Sequence, residues 1–160
     1  KDTATTESYT LSLHDALPIL RYGEKVYSPL IELGTADVLV AFEILEAVRY
    51  LPYLHKDSAV VVNTQKILPP SVALGKASYP ENILDELTNR HIKVVAIDAF
   101  AVAESVGELR TANVAMVGAM SNFLAVSPDV FLEVIDATVK ERFREVNKQA
   151  FAAGRAAVYA

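Results

Sequence analysis

Three short runs rich in β-branched residues, DVLVAF (37–42), AVVVNT (59–64) and KVVAIDAF (93–100), constrain this chain more than anything else in it. None of them alternates apolar with polar residues. A strand with one wet face does alternate, whereas a strand covered on both faces reads as a continuous apolar run, as in parallel sheets packed between helices. Helical patterns fill the intervals. FEILEAVRYL (42–51) sets Leu45, Val48 and Leu51 on one stripe and stops at Pro52. YPENILDELTNR (79–90) groups Ile83, Leu84 and Leu87, with Pro80 suited to a first helical turn. Strands alternating with helices of this length predict a mostly parallel sheet joined by right-handed crossovers, an α/β layered domain.

The last third is expected to be helical. TANVAMVGAMSNFLA (111–125) is rich in Ala and Gly, a composition that lets another backbone come close. Ser127, Pro128 and Asp129 read as an N-cap, a first helical position and an acidic first turn. Behind them Val130, Phe131, Val134, Ile135 and Val139 form an apolar stripe, and a more polar helix is expected over about 141–157. No repeat, low-complexity tract or linker divides the chain.

The opening residues do not belong to this pattern. TLSLHDALPI (10–19) is what the end of a widely used short-read sequencing adapter encodes, and KDTATTESY (1–9) matches the upstream half of that adapter except at Lys1 and Ser8. Residues 1–19 are therefore expected to be translated adapter fused to a truncated gene, and 20–160 to be one domain. Setting aside Lys1, Asp2, Glu7 and Asp15 changes the formal charge from −5 to −3, with 14 Lys and Arg against 17 Asp and Glu. A mildly acidic chain without a basic run argues against nucleic acid as a partner. No apolar stretch reaches membrane-spanning length. Cysteine is absent, so disulfides, thiolate zinc sites and cysteine-ligated iron–sulfur clusters cannot be built from this chain.

Few residues suggest chemistry. His55 and His91 flank elements and read as surface or boundary residues, and Gly75-Lys76 lacks the rest of a phosphate loop and reads as a turn. The pairs Glu43/Glu46 and Asp85/Glu86 are expected on solvated helix faces. More suggestive are the polar residues that close the strand runs, Asn63, Thr64 and Asp98. Ligands of open α/β sheets bind in the crevice beyond the carboxyl ends of the strands, where these residues stand. Helix capping and chain turning account for the same residue types.

From RYGEKVYSPLIELGTADVLVAFEILEAVRYLPYL (21–54) onward, the sequence resembles the beta subunits of indolepyruvate ferredoxin oxidoreductases and, more broadly, the gamma-domain family of the 2-oxoacid:ferredoxin oxidoreductases. The likeness continues through VVVNTQKILPPSV (60–72), YPENI (79–83), VVAIDAFAVAESVGELRTANVAMVGAM (94–120) and EVNKQAFAAG (145–154). It implies a Rossmann-like domain whose first strand and G-x-G-G-Q-G turn, which precede this region in the family, are missing here. It further implies a small subunit of a cytoplasmic enzyme that oxidatively decarboxylates aryl pyruvates to acyl-CoA and CO2, with ferredoxin as acceptor. Thiamine diphosphate and the iron–sulfur clusters are then expected on a large catalytic partner subunit, with coenzyme A as co-substrate and the fragment itself inactive. Ser28, Asn63, Thr64, Asp98 and Asn113 become the candidates for lining a crevice shared with that partner, as positioners rather than catalytic groups; an N-cap role fits Asn113 equally. The alternatives are a gamma subunit acting on pyruvate, 2-oxoglutarate or branched-chain 2-oxoacids, and a non-catalytic nucleotide-binding α/β domain.

Overall fold

The computed structural model describes residues 20–28, 30–89 and 92–159. The segment 1–19 read as translated adapter, Pro29 and His91 lie outside the described residues. Three parallel strands, β1 (Ala36–Ala41), β2 (Leu54–Asn63) and β3 (Lys93–Ile97), form a sheet in the order β1-β2-β3. The expected apolar runs hold these strands, except that the run at 93–100 gives up Ala99 and Phe100 to the helix that follows β3. Val60, Val61 and Val62 in the second half of β2 are inaccessible to solvent, because the sheet is covered on both faces.

Side-chain alternation assigns the two faces. Leu39, Ala41, Val60 and Val62 pack with Ile44 and Ala47 of α1 (Ile44–Arg49) and with Ile83 and Leu87 of α3 (Ile83–Asn89). Val61 and Ile97 pack against the opposite layer. That layer is built from Ala99 and Ala103 of α4 (Ala99–Ser105) and from Ala112, Met116 and Ala119 of α5 (Ala112–Ser121). The single turn α2 (Pro70–Ala73) stands in the crossover between β2 and α3 and buries nothing.

Several element boundaries differ from the expectation. The helix expected over 42–51 is shorter: Phe42 is 52% exposed, Glu43 caps α1, and the chain tightens into a 3₁₀ turn at Leu51–Tyr53 where Pro52 removes a donor. Pro80 precedes α3 by three residues, and the helix starts only after Asn82, whose φ of 59° lies in the left-handed region that Asn tolerates. β2 begins five residues ahead of the expected run. Its first residues LHKDS follow an irregular register with β1 between Ala36 and Val38. Buried Ser58 stitches that irregularity together. Its hydroxyl donates to Ala36 O at 2.7 Å and accepts from His55 N at 2.8 Å. Helix α4 was not foreseen, since seven residues following a strand give too little periodicity to read.

The C-terminal third is helical as expected. Ser127 Oγ accepts from Asp129 N at the start of α6 (Pro128–Thr138). The apolar stripe of α6 is only partly covered: Ile135 is buried and Phe131 stacks on Phe151, while Val130 and Val134 are 46% and 54% exposed. Helix α7 (Glu141–Ala156) crosses α5 at backbone distance, and glycines make that crossing possible. A Cβ on Gly118 would stand 2.2 Å from Phe151 O, and one on Gly154 would stand 2.0 Å from Ala115 O. The small residues of 111–125 thus serve, at Gly118, the molecule's own helix pair.

Candidate functional site

The carboxyl ends of β2 and β3 bring three of the five candidate residues together. Asn63 is in register with Ile97, the last residue of β3, and Thr64 N donates to Ile97 O at 2.9 Å. Asp98 follows directly. Each of the three is engaged in holding the fold. The Asn63 side chain, 1% exposed, donates from Nδ2 to Phe42 O at 3.2 Å and accepts from Ala99 N at Oδ1 at 3.0 Å. One amide thereby ties the exit of β1 to the entry of α4. Asp98 is the N-cap of α4, its Oδ1 accepting from Phe100 N at 3.1 Å and Ala101 N at 2.9 Å. Capping, which composition left open beside a crevice role, is what Asn63 and Asp98 do. Replacing Asp98 with Ala is expected to cost about 1 kcal/mol, the usual loss of an N-cap, read as a small fall in the thermal midpoint.

Ser28 and Asn113 stand apart from this group. Ser28 Oγ accepts from Leu30 N at 3.1 Å, and the Arg21 guanidinium donates to Ser28 O and Leu30 O, a local knot in the segment ahead of β1. Asn113 lies exposed in the first turn of α5, separated from Asp98 by the whole of α4. It is not the cap: Thr111 occupies that position, without a side-chain capping bond.

A different carboxylate carries the densest hydrogen bonding here, and sequence reasoning placed it wrongly. Glu43, expected on a solvated helix face, is 7% exposed. Its Oε2 accepts from Leu45 N at 2.8 Å and Glu46 N at 3.3 Å, capping α1. Its Oε1 accepts from Ile67 N at 3.3 Å and from the Tyr79 hydroxyl. Burial, followed by the bond to the Glu43 carboxylate, pushes the Tyr79 phenol up to about 12. The one signal available in sequence was an acid one residue past a strand and directly before an apolar helical run, where cap positions fall.

His55 fits its boundary reading: Nδ1 accepts from Asp57 N at 3.2 Å, and Nε2 lies 3.5 Å from Asp37 Oδ1. Among the described residues no three His, Asp or Glu side chains converge as a cation site, and the sequence offers no cysteine. Nor is any described helix long and apolar enough to cross a membrane. What the strand ends offer chemically is a rigid rim, with Phe42 and Phe100 (52% and 42% exposed) on either side of the Asn63 clamp.

Comparison with known proteins fits this frame. The pattern of the pyruvate ferredoxin/flavodoxin oxidoreductase family matches residues 19–157. The chain is 37% identical over 139 residues to the indolepyruvate oxidoreductase subunit IorB of Archaeoglobus fulgidus, and 37% identical over 142 residues to that of Thermococcus kodakarensis. Each alignment covers 84% of this chain and 69% of the relative. In fold it is similar to the keto/oxoacid ferredoxin oxidoreductase gamma subunit of Geobacter sulfurreducens, with a TM-score of 0.57 at 22% identity. That match covers 79% of this chain and 66% of the other.

Proposed function

Because the chain belongs to the pyruvate ferredoxin/flavodoxin oxidoreductase family, we propose that it acts as the small subunit of an oxidoreductase specific for indolepyruvate and related aryl pyruvates. The reaction is oxidative decarboxylation: the 2-oxoacid loses CO2, coenzyme A takes the acyl group, and the two electrons leave to ferredoxin. The observation that carries this reading is the 37% identity, spread over 84% of the chain, to indolepyruvate oxidoreductase subunits of two organisms. The complex works in the cytoplasm.

The division of labour is the one the family resemblance implies. By that resemblance, the iron–sulfur clusters and thiamine diphosphate sit on a large partner subunit, and the lack of cysteine in this chain agrees with that. Thiamine diphosphate supplies the carbanion chemistry when bound. This chain contributes a rigid rim at the strand ends, where Asn63 and Asp98 fix the backbone that a partner meets. Thr64 is half-buried there, and its hydroxyl is the candidate for facing the shared crevice. Ser28 and Asn113 are the outlying candidates for the same interface.

The test is the complex encoded at the source locus, purified without oxygen and supplied with ferredoxin and coenzyme A. Ferredoxin reduction by indolepyruvate is expected to exceed that by pyruvate or 2-oxoglutarate by at least about tenfold in kcat/KM. The 160-residue chain alone is expected to reduce none. A preference for pyruvate would overturn the substrate assignment. Full activity of the large subunit alone would overturn the assignment of this chain as its partner.

A further inference from the structure

Glu43 divides its two oxygens between two tasks. Oε2 caps α1, while Oε1 reaches out of that helix to the crossover between β2 and α3, at Ile67 N and the Tyr79 hydroxyl. Among the described residues the crossover has few other attachments. Between 65 and 82 only Pro69, Val72 and Tyr79 are even half-buried, and α2 within it buries no residue. The hydrogen bonds of 69–76 are local ones that close the α2 turn. Between the crossover and α1 lies an open depression of about 250 Å³, lined by Glu43, Leu45, Glu46, Arg49, Ile67 and Pro69, so the segment is not packed down along its length. Its ends are defined. Thr64 N is bound to Ile97 O at one end, and at the other Asn82 adopts its left-handed φ of 59° just before α3.

We infer that the crossover 65–81 opens and closes as a single strap, hinged near Thr64 and Asn82 and latched to the domain by the Glu43 carboxylate. The latch gathers at one point. Tyr79 packs against the core cluster of that face, Lys66 Nζ lies 5.7 Å over its ring, and Gln65 O accepts from Ile44 N at 3.4 Å beside the same carboxylate. Local opening of this kind is drawn from segments with few buried contacts, while the strands beneath stay closed. The strap carries Ile67, Leu68 and Leu74, which are 59%, 54% and 69% exposed, so its position sets much of the apolar surface beyond the end of β2. This inference does not depend on the reading of the chain as an oxidoreductase subunit.

Two substitutions separate the two tasks. Tyr79→Phe removes the hydroxyl from the latch and leaves the α1 cap intact. Glu43→Gln keeps one acceptor oxygen for two sets of donors and turns its amide hydrogens toward the other set. Amide hydrogen exchange of the 160-residue chain, read by mass spectrometry, is expected to speed up at least about tenfold over 65–79 in Tyr79→Phe. Peptides covering 59–63 and 93–97 should keep their wild-type rates. Glu43→Gln should show the same acceleration or more. Should Glu43→Gln fail to fold, Tyr79→Phe alone decides. Unchanged exchange over 65–79 in Tyr79→Phe would overturn the latch. Equal acceleration in the strand peptides would overturn the strap, because the crossover would then be part of one cooperative unit with the sheet.

Discussion

Gly118→Ala and Gly154→Ala are each expected to remove about 3 kcal/mol or more of folding stability, lowering the thermal midpoint by roughly 10 °C. Propensity alone predicts the opposite, since alanine is favoured over glycine by about 1 kcal/mol in a helix interior. Packing reverses the sign. The added methyl on Gly118 would meet Phe151 O at 2.2 Å and Phe151 C at 3.0 Å, and on Gly154 it would meet Ala115 O at 2.0 Å and Ala115 C at 2.7 Å. These are backbone atoms and cannot rotate away, so α5 and α7 must separate by an ångström or more. Separation also strains the polar clip at the end of the pair. There Arg155 Nη1 donates to Ser121 Oγ at 2.6 Å and Asn122 Nδ2 donates to Arg155 O at 3.2 Å. Gly23→Ala is the control, because nothing lies within 4 Å of its Cβ position and its φ is not positive. Thermal unfolding followed by circular dichroism measures all three. A midpoint of Gly118→Ala within 2 °C of wild type would mean the helices meet less closely than this crossing requires.

How much of this was legible in the sequence follows from which forces are local. The doubly covered sheet announced itself, because strands buried on both faces must be apolar throughout, and the run at 59–64 met that demand in the second half of β2. The Ser127 cap was legible because the side chain bonds two residues ahead in its own chain. The close approach permitted by Ala and Gly was legible as well. Its partner was not, since Gly118 meets Phe151 and Arg155 across more than thirty residues of chain. Glu43 was misread for the same reason: two of its donors are local, but Ile67 and Tyr79 arrive from the far side of β2. An acid looks solvated in one dimension until the crossover that buries it is in place.

Asn63 shows the same limit at the candidate site, and it carries the second large prediction. A polar residue ending an apolar strand faces the crevice or the interior according to the parity of its position, and the structure turns Asn63 inward, to 1% exposure. Asn63→Leu keeps the branch at Cγ and deletes both hydrogen bonds. Phe42 O loses its donor and Ala99 N, at a residue 1% exposed, loses its acceptor. Each orphaned group costs about 1–3 kcal/mol, so a combined loss of about 2–6 kcal/mol is expected against the 5–15 kcal/mol typical of a domain. Asn63→Asp makes a finer test. Its carboxylate still accepts from Ala99 N but turns an oxygen onto Phe42 O, so burial and that oxygen favour the protonated acid in the folded state. A folded pKa raised above the unfolded value of about 3.9 means the variant does best below that pH and loses stability as pH rises through the folded pKa. Chemical denaturation from pH 4 to pH 8 should therefore show the gap between Asn63→Asp and wild type widening with pH, while the gap for Asn63→Leu, which adds no titrating group, stays constant. A constant gap for both variants would place residue 63 in water, facing the crevice, and would restore it as a candidate for contacting the partner subunit.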